Sequence, residues 1–373
     1  MFSRSLCLVG FSFVGLLGFL CFSAAGSQPQ STICPFRSIY QFGDSIADTG
    51  NLILNGPVGA RSHAARFPYG ETFFRRPTGR CSNGQLMIDF FARALQLPLL
   101  KPYLGNDKSF RNGVNFAVAG STALNSSFFT ARGLHVPATN TPLGKQLSWF
   151  NSHLRSVCRS NCSERLRRSL FMVGEIGGND YNYGFFQGKS VDEVRAFIPH
   201  VVQTIAAAVR EVIRHGAVRV VVPGNFPIGC FPIYLSSFPA NDPRAYDDKG
   251  CLRHMNEFAV EHNNALQAAI ASLRQEFPHA VIVYGDYYAA FQSVLGRAST
   301  LGFDERAALR SCCGVGGAYN YDGSRQCGAS GVPVCPNPDR YISWDGVHLT
   351  QKAYRHMSEF LVYNILSQIQ CVW

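Results

Sequence analysis

The sequence of 373 residues predicts a three-layer α/β/α sandwich around a five-stranded parallel sheet. Short runs of apolar and β-branched residues recur along the chain, as in strands that are buried on both faces. Helical patterns alternate with these runs, and strand–helix–strand alternation produces right-handed crossovers within a parallel sheet. No internal repeat or low-complexity linker interrupts this order, so we expect one domain over residues 27–373.

The predicted strands are short and mostly apolar, and they cover residues 38–42, 114–118, 169–173, 218–222 and 280–284. The clearest helix follows Ser190, whose hydroxyl can cap the first turn while Glu193 completes a capping box, and it ends at Gly216. A second helix is predicted over 252–276, and a last one begins near Thr350. Four longer segments are interpreted as insertions on the single domain, at 52–112, 120–168, 224–252 and 300–345.

Composition excludes two classes of protein. A hydrophobic fraction of 46% excludes wholesale disorder. Only the N-terminus offers an uncharged apolar stretch near the length of a membrane span, so we expect neither a multi-pass membrane protein nor a stable anchor on the mature chain. The formal net charge of +10 favours contact with polyanions without requiring it. We expect a monomer without a nucleic-acid partner.

Residues 1–26 have the pattern of a secretory signal peptide. Arg4 supplies the positive charge, residues 6–22 supply the apolar run, and Ala24 and Gly26 supply small residues at the cleavage site. The apolar run is long for such a peptide, which leaves an uncleaved signal anchor as the alternative. The pattern predicts a secreted, extracellular protein, with the cell wall or the vacuole as further destinations.

Cysteine usage fits an oxidising compartment. Two of the thirteen cysteines lie in the leader, and the odd number that remains implies at least one unpaired thiol. Cys158 with Cys162 and Cys230 with Cys251 are plausible local pairs. A further cluster of cysteines could form disulfides within one long loop, and the sequence does not give their pairing. The cluster consists of Cys312, Cys313, Cys327 and Cys335. Its spacing lacks the paired cysteines of structural zinc sites, so disulfides are favoured and no metal is expected.

Two surface features add to this interpretation. Asn125 and Asn161 stand in N-x-S/T triplets and are candidate glycosylation sites, although such triplets also arise by chance. A basic run is interpreted as a solvated face, and it comprises Arg155, Arg159, Arg165, Arg167 and Arg168. The alternative for this run is a weak contact with acidic cell-wall polysaccharide, which added salt would abolish.

Candidate functional residues follow the predicted strands, where ligands bind in open parallel sheets. Ser45 comes just after the first strand on a turn that Gly43 permits, a placement that suits a nucleophilic hydroxyl and equally a helix N-cap. Gly120 follows the second strand, where a backbone N–H could approach a ligand closely or the glycine could simply make a turn. The side chain of Asn179, after the third strand, can donate to a developing oxyanion or form an Asx-turn.

Asp345 and His348 lie three residues apart just before the last helix. This spacing can place the carboxylate on one ring nitrogen and leave the other nitrogen available for catalysis. A surface pair or half of a metal site would have the same spacing, but no third metal ligand is visible. The glycine-rich segments fit neither a Walker loop nor a dinucleotide fingerprint, so no cofactor is expected.

Taken together, Ser45, Gly120, Asn179, Asp345 and His348 resemble the residue set of the GDSL-type, or SGNH, serine hydrolases. The resemblance covers nearly the whole mature chain and is greatest to the secreted plant esterase/lipase branch that includes sinapine esterase and acetylajmalan esterase. Residues 77–84, residues 312–314 and Trp344 add to it. The chain departs from the family at Ile46, where the eponymous leucine stands, but this exchange conserves volume.

The resemblance implies a flavodoxin-like fold and a mechanism through an acyl-enzyme. By similarity, Ser45 attacks an ester carbonyl, His348 acts as general base and then as general acid, and Asp345 orients the imidazole. The oxyanion would be held by the amides of Ser45 and Gly120 and by the side chain of Asn179.

The resemblance also implies small acetyl or phenolic-acyl esters as substrates, in preference to long-chain lipids. Aromatic residues after Asn179 could line an acyl or aryl pocket or serve only for packing, and they are Tyr181, Tyr183, Phe185 and Phe186. Three other functions stay open at this point, namely an acyltransferase that uses the same acyl-enzyme, a polysaccharide deacetylase, and a binding protein on an inactive hydrolase scaffold.

Overall fold

A computed structural model describes residues 36–135, 140–158 and 162–369, which form a parallel sheet with helices on both faces. The strands are β1 (Ser38–Phe42), β2 (Gly113–Asn115), β3 (Ser169–Val173), β4 (Arg219–Pro223) and β5 (Val281–Gly285). Their order across the sheet is β2-β1-β3-β4-β5, and every neighbouring pair is parallel. The predicted fold class is therefore confirmed. The predicted signal peptide lies outside the described residues.

The helices of the described residues are α1 (Asn51–Leu54), α2 (Gly56–Ala60), α3 (Met87–Ala94), α4 (Ser126–Thr130), α5 (Leu143–Val157), α6 (Cys162–Arg167), α7 (Gly178–Phe185), α8 (Val191–Arg195), α9 (Ile198–Arg214), α10 (Pro232–Ser237), α11 (Arg253–Glu276), α12 (Tyr287–Gly296) and α13 (Gln351–Gln368). Helices α5, α9 and α11 pack side by side on the sheet, and α3, α13 and α12 form the second helical layer. These two layers enclose the sheet as the alternation of elements predicts.

The core beside β1 is aromatic. Phe42 stacks on Phe116 with ring centroids 5.2 Å apart, and Tyr40 stacks on Phe171 at 5.0 Å. Phe150 of α5 meets Tyr40 and Phe42 edge to face. Each such contact contributes about 0.5–1.5 kcal/mol beyond the area that it buries. The strand that leads to Ser45 is therefore held firmly between its neighbours and α5.

Two elements differ from their predicted bounds by more than one residue. The helix after Ser190 begins with the predicted capping box but divides into α8 and α9, because Pro199 lacks an N–H and its ring would clash with the carbonyl one turn earlier. Strand β2 ends at Asn115, whose side chain accepts from the Ala117 N–H and donates to the Ala47 carbonyl. The segment beyond β2 nevertheless stays attached to the β1 side, since the Val118 N–H donates to the Gly43 carbonyl.

The 191–214 stretch, which spans α8 and α9, is long and apolar enough to meet the criteria for a membrane span. Just over half of it is buried within the fold, and the buried side chains of α9 belong to the hydrophobic core. This is the behaviour of a core helix.

The predicted local disulfides Cys158–Cys162 and Cys230–Cys251 are both present. The cluster of four cysteines forms two links, one nested inside the other, Cys312–Cys335 and Cys313–Cys327, which staple the last insertion. Within the described residues Cys81 is the free thiol, and it is buried.

Candidate active site

The turn after β1 presents Ser45 at the carboxyl edge of the sheet. Gly43 has φ +147°, and a Cβ at this position would lie 2.7 Å from the Glu175 carbonyl oxygen, so only glycine fits between the ends of β1 and β3. The Asp44 N–H donates to that same carbonyl at 3.2 Å, and the Asp44 carboxylate accepts the Ile46 N–H at 2.9 Å. These contacts close the turn and hold the Ser45 hydroxyl toward the space above the sheet.

The structure brings Ser45, His348 and Asp345 into one hydrogen-bonded row. The Oγ atom of Ser45 lies 2.8 Å from Nε2 of His348. The other ring nitrogen, Nδ1, lies 2.7 Å from Oδ2 of Asp345. A hydroxyl near the start of the chain therefore meets an imidazole near its end within proton-transfer distance.

The Asp345 carboxylate is held from several directions. Its Oδ1 accepts the N–H groups of Val347 at 3.0 Å and His348 at 2.7 Å, and its Oδ2 accepts the Tyr69 hydroxyl at 2.8 Å. Gly346 makes the turn possible, because it has φ +95° and a Cβ there would lie 2.2 Å from the ring of Tyr321. The carboxylate consequently has a single orientation toward the imidazole.

The disulfide-stapled insertion braces the segment that carries Asp345. The N–H of Cys312 donates to the Ser343 carbonyl at 3.1 Å, and that of Cys313 donates to the Trp344 carbonyl at 2.7 Å. The Trp344 N–H donates in turn to the His348 carbonyl at 2.7 Å. The two links in this insertion therefore support the acid and the imidazole directly.

Charge within this row favours the imidazolium. Burial alone would lower the pKa of His348, but the Asp345 carboxylate outweighs it, and this pKa is raised well above its usual value of 6.5. Burial would raise the pKa of Asp345, but the facing His348 and the hydrogen bonds to the carboxylate lower it to about 2. Asp345 is thus ionised at neutral pH and stabilises a protonated His348.

Two backbone donors face the same space. Among the described residues, neither the Ser45 N–H nor the Gly120 N–H has a hydrogen-bond partner. The position of Gly120 is set by Asp48, which is fully buried and accepts the adjacent Ala119 N–H at 2.8 Å. Two unpaired amides held close to a hydroxyl such as that of Ser45 have the arrangement that binds a developing oxyanion.

Asn179 lies at the start of α7, and its amide nitrogen is already bonded twice. Nδ2 donates to Oδ2 of Asp44 and to the Ser121 carbonyl, each at 3.0 Å. Both Nδ2 hydrogens therefore already have acceptors. An oxyanion would have to share one of these hydrogens with Asp44 or with the Ser121 carbonyl. These contacts tie the turn of Ser45 to the loop of Gly120.

A pair of buried acids lies beneath this arrangement. Burial raises the pKa of Asp44 to about 7, although the Ile46 N–H and the charge of His348 partly oppose the rise. Burial, and next the repulsion by Asp44, raise the pKa of Glu175 well above its usual value. Of the two carboxyls, Glu175 therefore holds its proton more tightly than Asp44 does.

The five predicted site residues all line one open cavity of about 520 Å³. Of the four aromatic residues after Asn179, Tyr183 lines this cavity and donates to the Gly120 carbonyl at 2.7 Å. Tyr181 and Phe185 are buried in the core, and Phe186 is exposed. The packing interpretation is therefore correct for two of the four residues, and Tyr183 alone of the four lies at the cavity.

Several residues in the site were not identified from the sequence. Asp48 and Glu175 stand in the same strand-end segments as Ser45 and Asn179, so their proximity could have been inferred. Tyr69 gave no signal, because 276 residues separate it from its partner Asp345. Cys81 also lines the cavity, although only the segment around it contributed to the family resemblance.

Other predicted surface features are placed as follows. Asn125 is exposed at the start of α4, and Asn161 and Arg159 lie outside the described residues. The basic run is only partly a solvated face, because Arg165 donates to the Tyr40 hydroxyl at 3.1 Å and to the Phe110 carbonyl. Within the ranges that the structure describes, no group of three or more potential metal ligands comes together.

Comparison with known proteins identifies the family. A family model described as GDSL-like Lipase/Acylhydrolase matches residues 39–361. A GDSL esterase/lipase of Arabidopsis thaliana is 59% identical over 359 residues, which cover 96% of this chain and 97% of the relative. Acetylajmalan esterase 1 of Rauvolfia serpentina is 50% identical over 361 residues, with 96% and 94% coverage. A second acetylajmalan esterase of that plant is 51% identical over 344 residues, with 91% and 88% coverage.

The chain therefore belongs to the GDSL lipase/acylhydrolase family, and the predicted family is confirmed. Its close similarity to esterases over nearly the full length makes it a carboxylic ester hydrolase.

Proposed function

We propose that this protein is a secreted serine esterase that hydrolyses small acetyl or phenolic-acyl esters through a covalent acyl-enzyme. Ser45 is the nucleophile, His348 the general base and acid, and Asp345 the residue that orients the imidazole. The observation that carries the proposal is the 2.8 Å contact between Ser45 Oγ and His348 Nε2, with Asp345 2.7 Å from the opposite ring nitrogen.

In the first step, Ser45 Oγ attacks the ester carbonyl carbon while Nε2 of His348 takes the hydroxyl proton. The imidazolium that forms is stabilised by Asp345. Collapse of the tetrahedral intermediate breaks the bond to the alcohol oxygen, which receives the proton from His348. Water then attacks the acyl-enzyme by the same route and releases the acid together with free Ser45.

The negative charge of the intermediate falls on the former carbonyl oxygen. The unpaired amides of Ser45 and Gly120 support their role as donors to this oxygen. Asn179 completes the oxyanion hole by sharing an Nδ2 hydrogen that in the resting state contacts Asp44 or Ser121.

The remaining parts of the proposal concern setting and substrate. The disulfides support a secreted protein, and the exposed position of Asn125 supports its glycosylation. We further propose that the protein is a single domain over residues 27–373 and acts as a monomer. The names of the acetylajmalan esterases support an acetyl ester as substrate. The exposed Arg155 supports at most a weak contact with acidic polysaccharide.

The test is the pre-steady-state hydrolysis of p-nitrophenyl acetate by purified protein. Wild-type protein is expected to release a burst of nitrophenol and to react with a fluorophosphonate probe, whereas Ser45→Ala should do neither. Ser156→Ala on α5 is the matched control, since its hydroxyl bonds only within the helix region at His153, and it should behave as wild type. Burst kinetics or probe labelling in Ser45→Ala would contradict the proposal. Product analysis with an added acceptor alcohol distinguishes hydrolysis from acyl transfer.

A further inference from the structure

A second cavity of about 50 Å³ adjoins the large one at the nucleophile. Ser45, Asn179 and Val347 line both cavities. The apolar part of the small cavity is formed by Ile46, Phe226, Ile228, Phe231 and Ile233, and its polar part includes the acid pair Asp44 and Glu175. The ester carbonyl bonded to Ser45 would therefore stand where two cavities of very different size meet.

The position of His348 decides which part of the ester enters which cavity. Among the described residues, His348 and Asp345 line the large cavity and not the small one. His348 has to protonate the oxygen of the departing alcohol, so this oxygen and the alcohol must lie on the large-cavity side. The carbonyl oxygen turns toward the amides of Ser45 and Gly120. The acyl chain is the third substituent of the carbonyl carbon. Because the alcohol occupies the large cavity, the acyl chain is left to enter the small one.

We infer that the small cavity binds the acyl group and limits it to acetyl or a chain of about butyryl length, while the large cavity binds the alcohol. This inference rests on the proposed function and narrows its substrate class. A single water molecule needs a cavity of roughly 10–15 Å³, so the small cavity has room for about three to five atoms of that size. A phenolic acyl group exceeds this space several-fold, whereas the alcohol has about 520 Å³ available.

The test keeps p-nitrophenol as the alcohol and varies the acyl chain through acetate, butyrate, octanoate and ferulate. One methylene too many in an apolar pocket costs roughly 10–200-fold in kcat/KM. We therefore expect at least a tenfold fall from butyrate to octanoate, and a comparable or larger fall to ferulate. Equal values of kcat/KM for acetate and ferulate would overturn the inference.

Variants of the small cavity make the test specific. Ile233 is only partly buried, so Ile233→Ala should fold and should raise the octanoate-to-butyrate ratio by about tenfold or more. Ile228→Ala is a second enlarging variant, and Ile233→Phe should lower the activity on butyrate relative to acetate. Val58→Ala, which removes a half-exposed side chain of the large cavity, should leave the acyl-length ratio unchanged.

The two proposals fail in distinguishable ways. Ester hydrolysis by Ser45→Ala would overturn the proposed function and this inference together. The acyl-cavity assignment alone would be overturned by a different result. In that case hydrolysis requires Ser45, but the acyl-length profile changes in Val58→Ala and does not change in Ile233→Ala or Ile228→Ala.

Discussion

Replacement of Asn179 by alanine tests whether the side-chain amide holds the oxyanion. Asn179 is half-buried at the start of α7, and its Nδ2 faces both the Ser45 turn and the Gly120 loop. Alanine removes this donor and leaves the backbone amides of Ser45 and Gly120 in place. The variant therefore separates the contribution of one donor out of three.

The magnitude follows from how this donor is engaged. Loss of a single oxyanion donor costs about 10²–10³-fold in kcat, or ~2.7–4 kcal/mol. In the resting site both Nδ2 hydrogens have partners at 3.0 Å, so the oxyanion has to compete with Asp44 or Ser121 for one of them. We expect a loss at the lower end, about 10²-fold. The same substitution leaves Asp44 and the Ser121 carbonyl short of a donor, which costs ~1–3 kcal/mol of folding stability.

The assay is steady-state hydrolysis of p-nitrophenyl acetate, with the free energy of unfolding measured in parallel by denaturant titration. Catalytic loss should appear in kcat with little change in KM, since the interaction forms only in the transition state. Asn151→Ala is the control, because Asn151 is also half-buried and donates to Glu211 at 2.8 Å but lies on α5. Unchanged turnover in folded Asn179→Ala would refute the reasoning and remove this residue from the oxyanion hole.

Three further outcomes are expected. Asp345→Asn should lower kcat by about 10⁴-fold and shift the acid limb of the kcat/KM profile to lower pH. The reason for the shift is that the variant removes the carboxylate that raises the pKa of His348. An acid limb at an unchanged pH would contradict this cause. Tyr69→Phe should shift the acid limb of the kcat/KM profile to higher pH and lower kcat roughly tenfold. Asp345 loses a charge-assisted hydrogen bond of ~1.5–3 kcal/mol, and its charge then acts more strongly on His348. A shift of the limb to lower pH would show a purely structural role for Tyr69. Retention of the protein on an acidic polysaccharide matrix should be weaker for Arg155→Ala than for wild type. It should also weaken with added salt, because the Debye length falls from ~10 Å at 0.1 M to ~3 Å at 1 M. Retention that salt does not change would exclude an electrostatic contact.

The sequence predicted the sheet well because its strands are buried on both faces. β1 and β3 have the predicted bounds, and β4 and β5 begin one residue later than predicted. A continuous apolar run can be recognised as a buried strand without knowing which strands lie beside it. The division between α8 and α9 was missed because the apolar periodicity continues across it, and only Pro199 marks the break.

The predicted site residues came together because parallel strands end at one edge of a sheet, so residues after separate strands become neighbours. No comparable rule covers groups that reach the site from insertions. The Tyr69 side chain arrives from a segment without regular structure and touches a carboxylate 276 residues away. Such contacts depend on loop paths, which hydrophobic periodicity does not describe.

The buried acid pair Asp44 and Glu175 lies beside Ser45, the proposed nucleophile. If both groups were ionised, their repulsion and desolvation would destabilise the fold and oppose the oxyanion. A proton on Glu175 removes one of the two charges, and the Asp44 carboxyl accepts hydrogen bonds from the Ile46 N–H and the amide of Asn179. When it is ionised, Asp44 also attracts His348, and in the proposed mechanism this attraction favours the imidazolium that forms as Ser45 attacks. In the proposed mechanism, the cost of burying Asp44 is thus partly offset when the proton moves to His348.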